Sequence, residues 1–98
     1  MCKSEIFETV LSAVAKEAEI PIEKIMGGGK TREEVDARYL VVYYLKYAGF
    51  YESDIARMLR ITRQAVGAIL RQFETRRKQS GKIFEITFIR VGNVLKTD

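Results

Sequence analysis

The chain has 98 residues, 47% hydrophobic and 31% charged, which is enough for one globular domain but too few for two independent cores. It contains no histidine and a single cysteine, which excludes a zinc finger, an internal disulfide and the most common general base. We expect no signal peptide and no membrane span, and the cysteine usage favours a reducing, cytoplasmic location.

The net charge of +4 is concentrated in one segment of the chain. Residues 57–78 carry seven basic side chains against one acidic, whereas the segments on either side are much closer to neutral. A local excess of positive charge attracts phosphates and speeds encounters with nucleic acid. A solvated helix face would show the same excess, so charge alone leaves both interpretations open.

The first half of the chain is predicted to be helical. An amphipathic helix capped by Ser4 is expected to end at Pro21, followed by a short helical segment, "PIEKIM", and a flexible loop, "GGGK" (27–30). Thr31 and Glu34 fit a capping box at the start of a long helix that is apolar on most sides. Gly49 fits the position that follows the end of that helix. We expect this helix to be the central one.

Two further helices are predicted on either side of "RIT" (60–62), with Ser53 and Thr62 as their N-caps. Their apolar residues have the helical spacing needed to pack the pair together: Ile55, Ala56, Leu59, Ile61, Val66, Ile69, Leu70 and Phe73. This pattern is typical of a helix-turn-helix. The turn of such a unit often contains glycine, but Arg60 stands there, and arginine tolerates a left-handed backbone poorly. We therefore expect a turn of different shape.

In the C-terminal segment the pattern of apolar residues no longer favours the helical period. In "KIFEITFIRV" the residues alternate between two faces, as in a strand, and Gly92-Asn93 would form a two-residue hairpin loop. The predicted fold is therefore mainly α, a multi-helix domain with a helix-turn-helix over residues 1–81. A short C-terminal β-strand or hairpin over residues 82–98 extends the same domain. Pairing of this strand with a second copy would give a homodimer.

No catalytic pattern is found. The run "GGGKT" resembles the end of a phosphate-binding loop, but Lys24 stands where that motif needs its first glycine. The acidic residues near the start of the long helix suit its first turn and form no catalytic pair. We therefore expect a protein that is not an enzyme, with no cofactor, no metal and no small-molecule substrate.

Nucleic acid is the predicted partner. With the apolar stripe buried, the outward face of the last predicted helix carries five candidates for base contact: Arg63, Gln64, Gly67, Ala68 and Arg71. Arginine pairs with guanine and glutamine with adenine, and the two small residues would let the helix approach base edges closely. Further residues near this face are candidates for contact with the DNA backbone: Arg57, Arg60, Thr62, Arg76 and Arg77.

Residues of about 6–78 resemble the C-terminal DNA-binding domain of the bacterial replication initiator DnaA, which has a Trp-repressor-like helix-turn-helix. The runs "IPIEKIMGGGKTR", "DARYLVVYYL", "SDIARML" and "TRQAV" carry the likeness. The resemblance implies that Lys30 enters the minor groove and that Arg32, Arg38 and Lys46 contact phosphates. Arg38 can equally pair with a neighbouring acid, and Lys46 can be a solubilising charge. The family's specificity motif, Asp-His-x-Thr-Val, is replaced here, so no target sequence is implied.

Two functions are therefore predicted. The first is binding of double-stranded DNA in a regulatory role, or as an accessory to replication or to a mobile element, and a dimer would suit two half-sites. The alternative is a helical protein-interaction adaptor that uses the C-terminal strand and the tyrosine-rich helix with Tyr39, Tyr43, Tyr44 and Tyr47. Core packing would explain the same tyrosines.

Overall fold

The computed structural model describes residues 2–27 and 29–96, and all regular structure within them is helical. The helices are α1 (Lys3–Ala18), α2 (Ile22–Ile25), α3 (Arg32–Tyr47), α4 (Glu52–Leu59) and α5 (Arg63–Lys96). α1, α3 and α5 pack against one another, and α4 packs mainly on α5. Within the two described stretches, no helix is both long and apolar enough to cross a membrane.

α3 is the central helix, as predicted, since it contacts each of the other four. The Thr31 hydroxyl accepts the Glu34 N–H at 3.2 Å, and the Glu34 carboxylate accepts the Thr31 N–H at 3.2 Å, so the capping box is confirmed. Leu40, Val41 and other apolar residues of α3 are almost fully buried. Gly49 follows the helix with a φ of +98°, which confirms its predicted place.

Two predicted caps are wrong. Cys2, not Ser4, is the N-cap of α1, where it forms a capping box with Glu5. α4 begins at Glu52 after an extended Tyr51, so Ser53 lies inside the first turn. In both cases the helix starts slightly before the serine. Sequence preference for a capping residue therefore located these helices but not their first residues.

The joint between α4 and α5 is packed much as the apolar spacing predicted, except that Ile61 and Leu70 are only partly buried. The buried side chains on its two helices are Ile55, Ala56, Leu59, Val66, Ile69 and Phe73. Thr62 caps α5, because its Oγ1 accepts the N–H of Ala65 at 3.0 Å. The turn between the helices covers only residues 60–62, so α4 fixes the position of the first turn of α5.

Arg60 ends α4 in the left-handed region, with φ 61° and ψ 40°. The N–H of Ile61, next in the chain, donates to the Ala56 carbonyl at 3.0 Å, which is the bond pattern of a glycine-type helix end. The expectation that arginine would give a different turn is therefore wrong. The chain accepts the steric cost of a Cβ at positive φ to keep a tight turn.

Replacing Arg60 with glycine is expected to raise the free energy of unfolding by about 0.5–1 kcal/mol, because glycine adopts positive φ without a steric penalty. Chemical denaturation would measure the change. The matched control is Arg57→Gly, which places the same substitution inside α4 and should lower stability by about 1 kcal/mol. A less stable Arg60→Gly variant would contradict the left-handed turn.

The predicted C-terminal strand is wrong. Residues 82–96 are helical, and the structure shows no strand or hairpin in the part of the chain that it describes; residues 97 and 98 of the predicted extension lie outside that part. The helical stripe is Phe84, Phe88, Val91 and Leu95, which lie on the core side at helical spacing. Apolar residues on the opposite side produced the alternation that favoured a strand.

α5 reverses its direction at Gly81, which has φ 76° and ψ −151°. We call the two parts α5a (63–80) and α5b (82–96). In an unbroken helix the rings of Phe73 and Phe88 would be about 22 Å apart, at about 1.5 Å per residue. Their centroids are 5.7 Å apart, so α5b folds back beside α5a. The C-terminal segment thus completes the helical core.

α5b is held against α3 by an aromatic cluster. Tyr43 stacks on Phe73 with ring centroids 4.5 Å apart and meets Phe88 edge-on at 5.1 Å. The Tyr44 hydroxyl donates to the Phe88 carbonyl at 2.6 Å, and burial raises the pKa of Tyr44 to about 12. Any Cβ at Gly92 would lie 2.9 Å from that hydroxyl, so glycine allows the close approach of the two helices.

Candidate nucleic-acid interface

The exposed side chains at the start of α5 include Arg63 and Gln64, and Arg71 is exposed further along the helix. No acidic residue occurs in the first turn of α5. Arg63 is the first residue of α5 and lies at the N-terminal end of the helix, where a positive charge interacts unfavourably with the helix dipole. This placement costs the fold some stability, which a structural role would not explain.

The middle of this α5 face is less accessible than its small residues, Gly67 and Ala68, would suggest. Gly67 and Ala68 are half-buried. A Cβ built at Gly67 would lie 3.1 Å from a terminal nitrogen (Nη1) of Arg71 and 3.6 Å from the Glu52 carboxylate. The Arg71 side chain thus folds back over the glycine. For Arg71 to reach a base edge, its guanidinium would have to swing away from this position.

Glu52 is the residue of this surface that the sequence reasoning missed. It lies in the first turn of α4, half-buried, and its carboxylate is 4.0 Å from the Lys46 ammonium. Since it also borders Gly67, it stands between two candidate DNA-contacting cations. A phosphate that bound Lys46 or Arg71 would have to compete with this carboxylate. Glutamate in a first helix turn is common, so the pattern gave no signal.

Arg38 is buried, with 8% of its surface exposed, and does not face solvent as a phosphate contact would. Its guanidinium donates to the carbonyls of Ile25 at 2.7 Å, Lys24 at 3.1 Å and Gly29 at 2.9 Å. Burial lowers its pKa without removing the charge. Neither alternative from the sequence, a phosphate or an acid, is the partner that the structure shows.

The loop that carries Lys30 is held in place by Arg38. Besides accepting a bond from that guanidinium, Gly29 is buried so closely against the Lys24 carbonyl and the Glu34 side chain that a Cβ would overlap them. Lys30 itself is exposed. Gly28, also in the predicted loop, lies outside the described residues. The predicted flexible loop is therefore anchored on both sides of Lys30, by Gly29 and by the Thr31 cap.

The Arg76 side chain is bound on the side of α5a that faces α3. Its Nε donates to the Asp36 carboxylate at 2.6 Å, and its guanidinium lies 5.0 Å from the Tyr39 ring centroid. A further contact of 3.5 Å reaches the Arg32 carbonyl. The Arg32 guanidinium in turn donates to the Gln79 carbonyl at 2.9 Å, near the end of α5a. These bonds join α5a to α3.

Arg77 joins α5a to α5b. It makes a two-pronged ion pair with the Glu85 carboxylate, at 2.6 and 2.7 Å, and stacks 4.8 Å from the Phe88 centroid. The guanidinium holds the pKa of the Glu85 carboxyl below its usual range. Two-pronged pairing of this kind has strict geometry. Two of the seven basic residues of 57–78, Arg76 and Arg77, are therefore used to hold α5 in place.

The cations that remain at the surface form a smaller set around the α4–α5 turn. Arg57 is exposed and pairs with Asp54 at 3.2 Å, an acid that also binds Lys3 at 2.9 Å. Arg60 and Arg63 are exposed on either side of the Thr62 cap. Between residues 55 and 73 the chain has four arginines and no acidic residue. The local surface is positive even after the internal ion pairs are set aside.

Most of the tyrosines predicted as an alternative interface serve packing. Tyr39 is buried and donates to Gln72 at 3.1 Å, while Tyr43 and Tyr44 belong to the aromatic cluster. Tyr47 is different, since 82% of its surface is exposed. It lines a groove of about 620 Å³ whose walls come from α1, α3 and α5b.

Comparisons with protein-family models, curated proteins and solved structures find no match to this chain. The resemblance to the DnaA domain therefore stays a prediction. Within residues 2–27 and 29–96, no three carboxylate or thiol groups lie close enough together to hold a metal ion.

Proposed function

We propose that the protein binds double-stranded DNA through a helix-turn-helix formed by α4 and α5, with the start of α5a in the major groove. The observation that carries the proposal is the exposed positive surface at the turn, where residues 55–73 include no acid. Arg63 and Gln64 are the first candidates for base contact, and Arg71 follows once its guanidinium leaves Gly67. Gly67 and Ala68 lie between these residues, and their small size would let the helix backbone approach the bases closely.

Contacts with the DNA backbone are assigned to exposed groups near this surface: Arg57, Arg60, Thr62, Lys46, Lys30 and Arg32. Arg38, Arg76 and Arg77 are left out of the proposal, because they are buried or half-buried as well as bound to carbonyls or carboxylates of the protein, whereas Arg32 and Arg57 are exposed. Capture by the positive surface would precede groove readout. A regulatory role, or an accessory one in replication or in a mobile element, fits such a small DNA-binding domain.

Replacing Arg63 with alanine is expected to weaken binding to a selected DNA site by about 1–3 kcal/mol and to relax the preference at one base pair. Stability should be unchanged or slightly higher, because a charge opposing the helix dipole is removed. Fluorescence anisotropy on a set of single-base variants, together with thermal unfolding, would measure both. Unchanged affinity and unchanged preference would contradict the base contact.

Lys30→Ala is the companion variant. Lys30 is proposed to contact the backbone or the minor groove, so its loss should weaken all sequences to a similar degree and lower the slope of the salt dependence by about one. Because Lys30 is exposed, the fold should be unaffected. A change of base preference in this variant, rather than in Arg63→Ala, would reverse the two assignments.

A specific observation favours one alternative function. The groove of about 620 Å³ beside exposed Tyr47 has apolar walls that include Ile6, Tyr43 and Phe88, and can take an apolar side of a partner helix. In that adaptor function, Tyr47→Ala would abolish partner capture and the arginine variants would not. If Arg63→Ala lost DNA binding and Tyr47→Ala kept it, the result would favour DNA binding over the adaptor function.

A further inference from the structure

The outward face of α5b carries apolar side chains that the core does not use. Ile83 is 80% exposed, Ile86 49% and Ile89 52%, at spacings of three residues along one side of the helix. We call these three residues the isoleucine ridge. Scattered exposed apolar residues are normal, but a contiguous row on one helix face marks an interaction surface.

The exposed charges that α5b itself places beside this ridge are positive, although Glu33 and Asp36 of α3 line a small pocket together with Ile83. Lys82, Arg90 and Lys96 are exposed on the same helix. The acid of α5b, Glu85, is bound to Arg77 and cannot neutralise them. No salt bridge of 4.0 Å or less joins Arg90 to an acid among the described residues. The α5b part of this face is therefore apolar and positive near Arg90 and Lys96, and the surface that covers it there should offer carboxylates.

A surface with those properties lies directly beside it on the same molecule. A shallow groove of about 510 Å³ is bordered by Glu5, Glu8, Lys16 and Val94, and its remaining lining residues are small: Thr9, Ser12 and Ala13. Glu8 is exposed, and no salt bridge joins it to a cation within the described stretches. Val94 belongs to α5b, so this groove and the isoleucine ridge are neighbours.

Adjacent patches that complement each other are what a two-fold interface requires, because each patch of one copy then meets the other patch of its partner. The ridge offers protruding apolar side chains with the cations of α5b beside them, and the α1 groove offers a floor of small residues bordered by two acids, Glu5 and Glu8, and one base, Lys16. Neither patch includes a residue of the α4–α5 turn (60–62), so the two proposed surfaces use different residues.

We propose that this face is the interface of a two-fold homodimer, in which the isoleucine ridge of each copy packs into the α1 groove of the other and Arg90 pairs with Glu8. A standard interface would cover about 800 Å² per copy, a modest share of the 6206 Å² surface of the chain. An anionic membrane would also attract the ridge, but it would repel the Glu5 and Glu8 carboxylates of the groove beside it. The dimer does not depend on DNA binding, although it would present two helix-turn-helix units to two half-sites.

Sedimentation equilibrium of the full chain over a range of concentrations tests the proposal. We expect a monomer–dimer equilibrium, and Ile86→Asp should raise the dissociation constant at least about tenfold by placing a charge in an apolar contact. The matched control is Ile22→Asp, which adds the same charge at an exposed isoleucine of α2 and should leave the equilibrium unchanged. A chain that stays monomeric at all concentrations would overturn the proposal, as would equal effects of the two variants.

Charge reversal tests the orientation of the two copies. Arg90→Glu and Glu8→Arg should each weaken the dimer at least about tenfold, and the double variant should recover most of the loss, because the pair is restored with opposite polarity. Both residues are exposed, so the fold should tolerate the changes, which circular dichroism would check. A double variant no tighter than the single ones would overturn the pairing. Binding of the monomer to anionic vesicles, lost in Ile86→Asp, would assign the ridge to a membrane instead.

Discussion

Arg38→Met is expected to lower the free energy of unfolding by about 3 kcal/mol or more, because buried carbonyls lose a charged donor. Arg38 bonds three carbonyls of residues 24–29, and methionine keeps most of its apolar length but none of its donors. Arg38→Lys should recover only part of the loss, since one ammonium cannot reproduce the planar fork. Chemical denaturation would rank the three proteins.

The same variant decides between two roles for this residue. The resemblance to the DnaA domain implies a phosphate contact, whereas the structure shows an internal clamp for the loop before α3. If Arg38→Met kept full stability and lost only DNA affinity, the clamp would be wrong. Exposed Arg63 provides the control, because Arg63→Met should affect DNA binding and leave stability within about 0.5 kcal/mol.

Replacing Gly81 with alanine is expected to destabilise the protein by about 1–3 kcal/mol, the cost of holding a side chain in a backbone region that is nearly restricted to glycine. Among residues 2–27 and 29–96, apart from its own chain neighbours, nothing lies within 4 Å of a Cβ built there, so the cost comes from the backbone alone. Relief by straightening α5 would expose Phe84 and Val91, which are buried. A strained backbone and a straightened α5 would both cost free energy, so any measurement of unfolding should show the loss of stability.

Lys82→Ala is the matched control for Gly81→Ala. Lys82 is exposed and helical, so its substitution should change stability by no more than about 0.5 kcal/mol. A Gly81→Ala protein that is as stable as the parent would show that α5 does not reverse at this residue. NMR would also report the reversal directly, through the ring contacts between Phe73 and Phe88.

Helical spacing and capping chemistry predicted much of the fold. Leu59 and Val66 were expected in the α4–α5 joint, and Thr31 and Thr62 at helix starts, because these features depend on residues close together in the chain. The C-terminal helix was missed for a physical reason. α5b has apolar residues on both its core side and its outward ridge, so the one-sided stripe that identifies a surface helix is obscured.

The candidate site was harder to predict, because its charges have partners far away in the chain. Arg76 binds an acid 40 residues earlier, and Arg38 binds main-chain carbonyls that no sequence motif marks. Counting arginines therefore overstated the charge that is free to meet DNA. Glu52 was missed for a related reason, since only the folded chain brings it beside Gly67.

The most direct test of the central proposal is binding of the full chain to mixed-sequence duplex DNA as the salt concentration is varied. We expect measurable binding at low salt and a linear fall of log affinity with log salt, with a slope of roughly −4 to −6 for about five or six phosphate contacts. Arg63→Ala and Lys30→Ala should each reduce this binding. An absence of binding even at low salt would contradict the proposal that the α4–α5 surface binds DNA.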